Sequence, residues 1–175
     1  MVEIKLVPLC DIDESILNVL CRSLKKTYHV RTSAIPKIEL PANALNKLRG
    51  QYNGSMILDY LSKKFEDFEG KVLGIMKEDL YAPGLNFIFG QAELNGKTAV
   101  ISICRLDPSF YGEKRDTSKL IERTEKEAIH EVGHLFGLLH CSNPTCVMSF
   151  SNTIMDVDRK SKNLCDICKI QLGLK

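Results

Sequence analysis

Apolar residues recur along this chain with two alternating periods. Over residues 2–9 they alternate with polar ones, as in a half-buried strand. Residues 13–27 instead place Ile16, Leu17, Leu20, Cys21 and Leu24 at helical spacing, with Asp13 in position to cap the helix. A second strand is predicted near 28–35, and the weakly patterned stretch from Pro36 through Pro41 to Gly54 reads as a loop with a short helical piece. Met56, Ile57, Tyr60, Leu61 and Phe65 mark one face of a helix over 55–65, and 71–76 reads as a third strand. Strand, helix, strand, helix, strand favours parallel neighbours joined by right-handed crossovers.

Beyond the Ala82-Pro83-Gly84 turn the pattern changes. Two apolar runs, 85–94 and 97–106, are hinged by Asn95-Gly96, a strong hairpin signal. A hairpin there adds one antiparallel strand at the edge of an otherwise parallel sheet. That edge can receive an extended peptide beside Phe87 to Leu94, main chain to main chain, or can be covered by a loop. After a charged segment, 112–118, a long helix is predicted over 118–136, with Leu120, Ile121, Ala128, Val132 and Leu135 turned to the sheet. The tail reads as a last helix capped by Asp158, with Cys165 and Cys168 in it or at its start.

These elements make a mixed α/β (α+β) domain of 175 residues, with 44% hydrophobic content sufficient for a core. Lys and Arg number 24 against 22 Asp and Glu, a net charge of +2 with the basic residues dispersed, which argues against a nucleic-acid partner. Glu3 and Lys5 interrupt the first apolar run, so it does not read as a signal peptide, and no segment approaches the roughly 20 apolar residues of a membrane helix. A cytoplasmic protein is expected, a monomer in the simplest case, beginning in its first strand without an inhibitory prosegment.

The chemistry concentrates late. Residues 130–140 read HEVGHLFGLLH and hold three of the four histidines. On a helix His130 and His134 stand one turn apart on one face, and their rings can converge on one metal. Glu131 projects about 100° around the helix from His130, where a carboxylate can serve as general base to zinc-bound water without itself binding zinc. His140 lies too far along to share that face. Gly137 can take the positive φ that stops the helix and turns the chain, so that His140 completes the set. Three neutral imidazoles leave the ion at +2 with an open position for water that ionises near neutral pH.

Seven cysteines need an explanation compatible with a reducing compartment. Cys10, Cys21 and Cys104 are scattered in apolar stretches and read as small hydrophobes. Cys141, Cys146, Cys165 and Cys168 follow the pattern C-x4-C-x18-C-x2-C, two short-spaced pairs that suit a closed tetrahedral zinc site. Disulfides are the alternative.

HEVGHLFGLLH, Cys141 directly after it, Cys146, Met148 two residues later and the CDIC pair at 165–168 together resemble the archaemetzincins, a branch of the metzincin metalloproteases. The resemblance implies a zincin-like fold: a twisted, mostly parallel sheet with one antiparallel edge, a backing helix, an active-site helix and a small zinc-stabilised C-terminal subdomain, dividing the single domain 1–175 into 1–137 and 138–175. It implies catalytic zinc on His130, His134 and His140, Glu131 as general base, Met148 as the methionine of a turn beneath the ligands, and a structural zinc on the four late cysteines, so two zinc ions per chain. Without the resemblance Met148 reads equally as core filler. Ser149 and Phe150 follow Met148, so the tyrosine that some metzincins place near this turn is missing; Tyr81 and Tyr111 are the remaining loop tyrosines that could assist an oxyanion. The activity expected is zinc-dependent hydrolysis of short peptides. The alternative is a non-catalytic or weakly active metal- or peptide-binding module whose two zincs hold the C-terminal part together, against which the presence of Glu131 counts. Late cysteines forming a nucleic-acid-binding ribbon are a third reading, poorly matched by the net charge.

Overall fold

A computed structural model describes residues 1–174. The expected strand and helix alternation is present: β1 (Glu3–Pro8), α1 (Glu14–Tyr28), β2 (Arg31–Ala34), α2 (Gly54–Lys64) and β5 (Lys71–Met76). Asp13 caps α1, its side chain accepting from the Ser15 amide, and Asn53 caps α2 by accepting from Met56. With β7 (Gly90–Ala92) and β8 (Thr98–Ser102) they form a five-stranded sheet in the order β2-β1-β5-β8-β7. All pairs are parallel except β7 with β8, so the antiparallel strand lies at one edge.

The sheet is covered on both faces, and its central strands are apolar on both sides accordingly. Ile4, Leu6, Leu73, Ile75, Ala99 and Ile101 belong to a core shared with α1 and with α3 (Thr117–Leu135). Val7, Val72, Met76 and Val100 belong to a second core with Ile57, Leu58 and Leu61 of α2. On α3 the expected Ala128, Val132 and Leu135 are fully buried, with Leu120 and Ile121 at the margin.

The other side of α3 is buried too. Arg123, Thr124, Glu125, Lys126, Glu127 and Glu131 are each at most 7% exposed. The segment after α3, with two short helices, α4 (Ile154–Arg159) and α5 (Asp166–Gln171), meets Arg123, Glu125, Lys126 and Glu127. Arg123 gives a bidentate pair of 2.8 Å bonds to Asp158 and a third, of 2.9 Å, to the Leu106 carbonyl. Lys126 reaches the Val157 carbonyl at 3.1 Å.

Three expectations are corrected. The tail is not one helix capped by Asp158: Thr153 caps α4 through a capping box with Asp156, and Asp158 sits in the last turn of α4 facing Arg123. The chain must turn between α4 and α5 to deliver Cys165, so α5 starts afresh. The two long hairpin strands shrink to the five residues of β8 and the three of β7. The region expected as loop supplies β3 (Leu45–Asn46) and β4 (Gln51–Asn53), which with β6 (Leu80–Tyr81) make a small second sheet. No helix is long and apolar enough to cross a membrane among the described residues.

Asp158→Ala strands a buried guanidinium and is expected to lower the unfolding free energy by about 2–3 kcal/mol. Arg123 also holds the Asp158 carboxyl below its ordinary range. That stabilisation is present above the ordinary carboxylate pKa of about 4 and is lost as pH falls through the depressed folded value. Urea unfolding at neutral pH and at successively lower pH checks both: the gap between native and Asp158→Ala protein should close in acid.

Candidate metal centre

The site begins where α3 ends. Gly137, at φ +92°, reverses the chain in a left-handed conformation that a side chain would strain. The amides of Gly137 and Leu138 return to the carbonyls of His134 and Gly133 at 2.9 and 3.0 Å, the paired bonds of a Schellman turn. The hairpin and β5 add two more bonds: the Asn95 amide donates to the His134 carbonyl at 2.8 Å, and the Lys71 ammonium at the start of β5 to the Leu135 carbonyl at 2.9 Å. A short extended segment then brings His140 back beside the helix.

Ring orientation is set from behind. His130 Nδ1 lies 2.8 Å from the Val147 carbonyl and His134 Nδ1 2.7 Å from that of Leu138. A carbonyl can only accept, so both Nδ1 atoms carry the proton and both Nε2 atoms present lone pairs. Those two Nε2 atoms are 3.1 Å apart, with no proton to share. A cation between them relieves the repulsion, and zinc–nitrogen bonds of about 2.0–2.1 Å in a tetrahedron separate ligand nitrogens by roughly 3.3 Å. His140 completes the group: each histidine offers one nitrogen, and the three lie within 4.8 Å of one another. The donor set therefore fits zinc. Burial lowers the pKa of all three rings, with Lys160 adding to the effect at His130, so they are held neutral, as ligands must be.

Met148 packs against the turn of α3 that carries His130 and His134 and is fully buried. Its sulfur touches the Gly133 backbone so closely that a Cβ on Gly133 would collide with it. The Cys141 amide donates to the Met148 carbonyl at 2.9 Å, which ties the residue after His140 to the same turn.

Glu131 is 5% exposed and lines a cleft of about 370 Å³ together with His130, His134 and His140. Burial first, and then the nearby Glu127 carboxylate, push its pKa well up, against the opposing pull of Lys160. A bound dication would pull it down. The opposite wall is the edge strand. Gly90 of β7 lies so near Glu131 that a Cβ there would be 2.8 Å from both its Cγ and its Oε1. Gly90, Glu127 and Lys160 were not among the expected site residues. For Gly90 a signal existed, since a lone glycine inside a strand often marks a close approach.

The four late cysteines converge as well. Their sulfurs all lie within 4.8 Å, with Cys141 to Cys165 at 3.7 Å and Cys146 to Cys168 at 3.8 Å. A disulfide would need about 2.05 Å, whereas zinc–sulfur bonds of about 2.3 Å in a tetrahedron separate sulfurs by roughly 3.8 Å. All seven cysteines are free. Backbone amides of Met148 and Cys165 point at the Cys146 sulfur at 3.4 Å, and the Cys165 thiol is pulled down to about 7, chiefly by the Cys168 amide. Cys10, Cys21 and Cys104 are half-buried and apart from this cluster, their thiol pKa values raised by burial. His29, the fourth histidine, ends α1 and does not belong to the trio. Tyr81 hydrogen-bonds Asn46, and Tyr111 hydrogen-bonds the Arg105 carbonyl; neither lines the cleft.

Residues 14–173 match the model of peptidase family M54. The chain is 45% identical over 161 residues to the archaemetzincin of Methanocaldococcus jannaschii, an alignment covering 92% of this chain and 87% of that protein. Its fold is similar to the crystal structure of archaemetzincin from Methanopyrus kandleri, at a TM-score of 0.84 and 38% identity, covering 98% and 93% of the two chains. It is similar also to a zinc-dependent peptidase from Methanocorpusculum labreanum, at a TM-score of 0.86 and 30% identity, covering 97% and 99%.

Gly90→Ala is expected to push the Glu131 carboxylate off its position while leaving the three histidines in place. A crystal structure of the variant checks this, and an unmoved carboxylate would refute the steric argument.

Proposed function

The chain belongs to peptidase family M54, the archaemetzincins, and is a zinc metallopeptidase; we propose that it cleaves short peptides, using His130, His134 and His140 as ligands of the catalytic zinc and Glu131 as general base. The observation that carries this reading is the convergence of two Nε2 lone pairs at 3.1 Å, with a buried carboxylate beside them in an open cleft. Zinc held there would act as a Lewis acid, polarising the scissile carbonyl and acidifying water. Glu131 takes the proton of the attacking water and returns it to the departing amine. The histidine Nδ1 bonds to Val147 and Leu138 keep the ligand rings from turning.

Peptide binding follows from the edge. β7 pairs only with β8 among the described strands, and Phe89 to Ala92 line the cleft, so an extended substrate can add itself there. Leu85, Leu94, Leu139 and Phe150, each at least 49% exposed, also line it and offer apolar contact for substrate side chains. A small domain, with little further surface to hold a large substrate, favours short peptides.

The cysteine cluster supports a second, structural zinc. Cys141 follows His140 directly, so the metal that holds Cys141 also aims the third catalytic ligand. We take the protein as one catalytic domain divided at Gly137, with Met148 as the methionine beneath the ligands and the second zinc binding the later part together. The three histidines and a base in a cleft favour an enzyme over a purely structural module.

Elemental analysis of metal-replete protein is expected to give two zinc ions per chain; one or none would sink the two-site reading. Glu131→Ala should retain both ions and lose turnover of a peptide library by roughly 10²–10⁴-fold, and unchanged cleavage would rule out the base. Cys165→Ser is expected to release the structural zinc and weaken zinc at the histidines, whereas normal occupancy there would show the sites to be uncoupled.

A further inference from the structure

Lys160 is fully buried, its side chain 0% exposed, beneath the catalytic centre. Its ammonium lies 3.0 Å from Oε1 of Glu127, itself 3% exposed. It also lies 3.4 Å from the Ser149 carbonyl and 3.5 Å from Nδ1 of His130. The three contacts belong to three parts of the site. Glu127 stands one helical turn before Glu131 and lines the cleft; Ser149 follows Met148; His130 is the first proposed ligand.

As a device for stability this pair is poorly chosen. Sinking two charges is costly, and a buried pair can often be replaced by neutral residues with no loss of stability. The geometry with Glu127 is also imperfect: Oε1 makes no well-angled hydrogen bond even with the ammonium 3.0 Å away. The Nδ1 proton of His130 already goes to Val147, so Lys160 cannot be needed as its hydrogen-bond partner. What the ammonium does is occupy the space behind the ring and hold a second carboxylate. An unrestrained Glu127 would be free to swing within the cleft towards Glu131 and the open side of the metal centre.

We propose that Lys160 is a positioning residue of the hydrolytic site. It wedges the His130 ring against the Val147 carbonyl and tethers Glu127, so that Glu131 is the one carboxylate left to face the reacting atoms. The inference rests on the zinc reading above and concerns residues of this chain alone.

The test compares native protein, Lys160→Met and the double variant Lys160→Met/Glu127→Gln, which removes both charges while nearly keeping volume. Metal affinity is read by titrating apo protein with cobalt(II), whose thiolate charge-transfer band distinguishes the cysteine site from the histidine site; kcat and KM are measured separately with zinc. The double variant should melt within about 4 °C of native, bind cobalt at the histidines at least tenfold more weakly and lose at least tenfold in kcat with KM within threefold. Cobalt binding at the cysteines should be unchanged. Lys160→Met alone should lose at least as much, since it frees the Glu127 carboxylate as well as the ring, and if it does not fold the double variant decides. Native cobalt affinity and native kcat in the double variant would overturn the proposal. So would failure of the double variant to fold, which would assign the pair to folding. A native protein that binds metal but cleaves nothing would defeat the peptidase mechanism, while the affinity comparison would still judge Lys160.

Discussion

Burying both sides of a helix in which seven of 19 residues are charged requires partners for the buried charges, and α3 finds most of them in the chain that follows it. Arg123 is matched by Asp158, Lys126 by carbonyls at the end of α4, and Glu127 by Lys160. The sheet takes the apolar side. Between these two supports the helix has little freedom, which is the condition for holding His130, Glu131 and His134 to the tolerance that metal chemistry needs. The same contacts determine where the C-terminal segment lies, and so where Met148 and the cysteines stand.

The two metal-shaped clusters are joined through this arrangement. Val147 fixes the His130 ring by its carbonyl, Met148 supports the helix at Gly133, and the Cys141 amide bonds back to Met148. His140 is thus held between a helix terminus and a cysteine cluster, in a segment with little regular structure of its own. An exposed histidine on a loop would otherwise be a poor ligand, because ordering it would cost conformational entropy.

The elements with clean periodicity were readable in advance. β1, α1 and α2 alternate or repeat as their burial demands, β5 is a short run buried on both faces, and the Asn95-Gly96 hinge marked the antiparallel edge. The motif placed three histidines and a glutamate together because helical spacing and one glycine suffice to do so. Other parts were not readable, for identifiable reasons. Strands of two or three residues, such as β3, β4 and β6, carry too few positions to show a period. Asp158 has the chemistry of a helix cap, but a buried guanidinium competes for the same carboxylate, and the capping box at Thr153 starts the helix earlier. The polar side of α3 reads as solvent-exposed until the segment that covers it is known.

The sequence by itself determined the three histidines and the glutamate of the motif, the helix stop at Gly137 and the grouping of four cysteines, since each follows from local spacing and from donor chemistry that does not depend on distant contacts. Only the tertiary structure decided that Gly90 faces Glu131, that Lys160 lies behind His130, and that Tyr81 and Tyr111 stay out of the cleft. The first two relations join residues 41 and 30 positions apart. They are set by how the sheet edge and the C-terminal segment close on α3, and packing of that kind leaves no periodic trace in the chain.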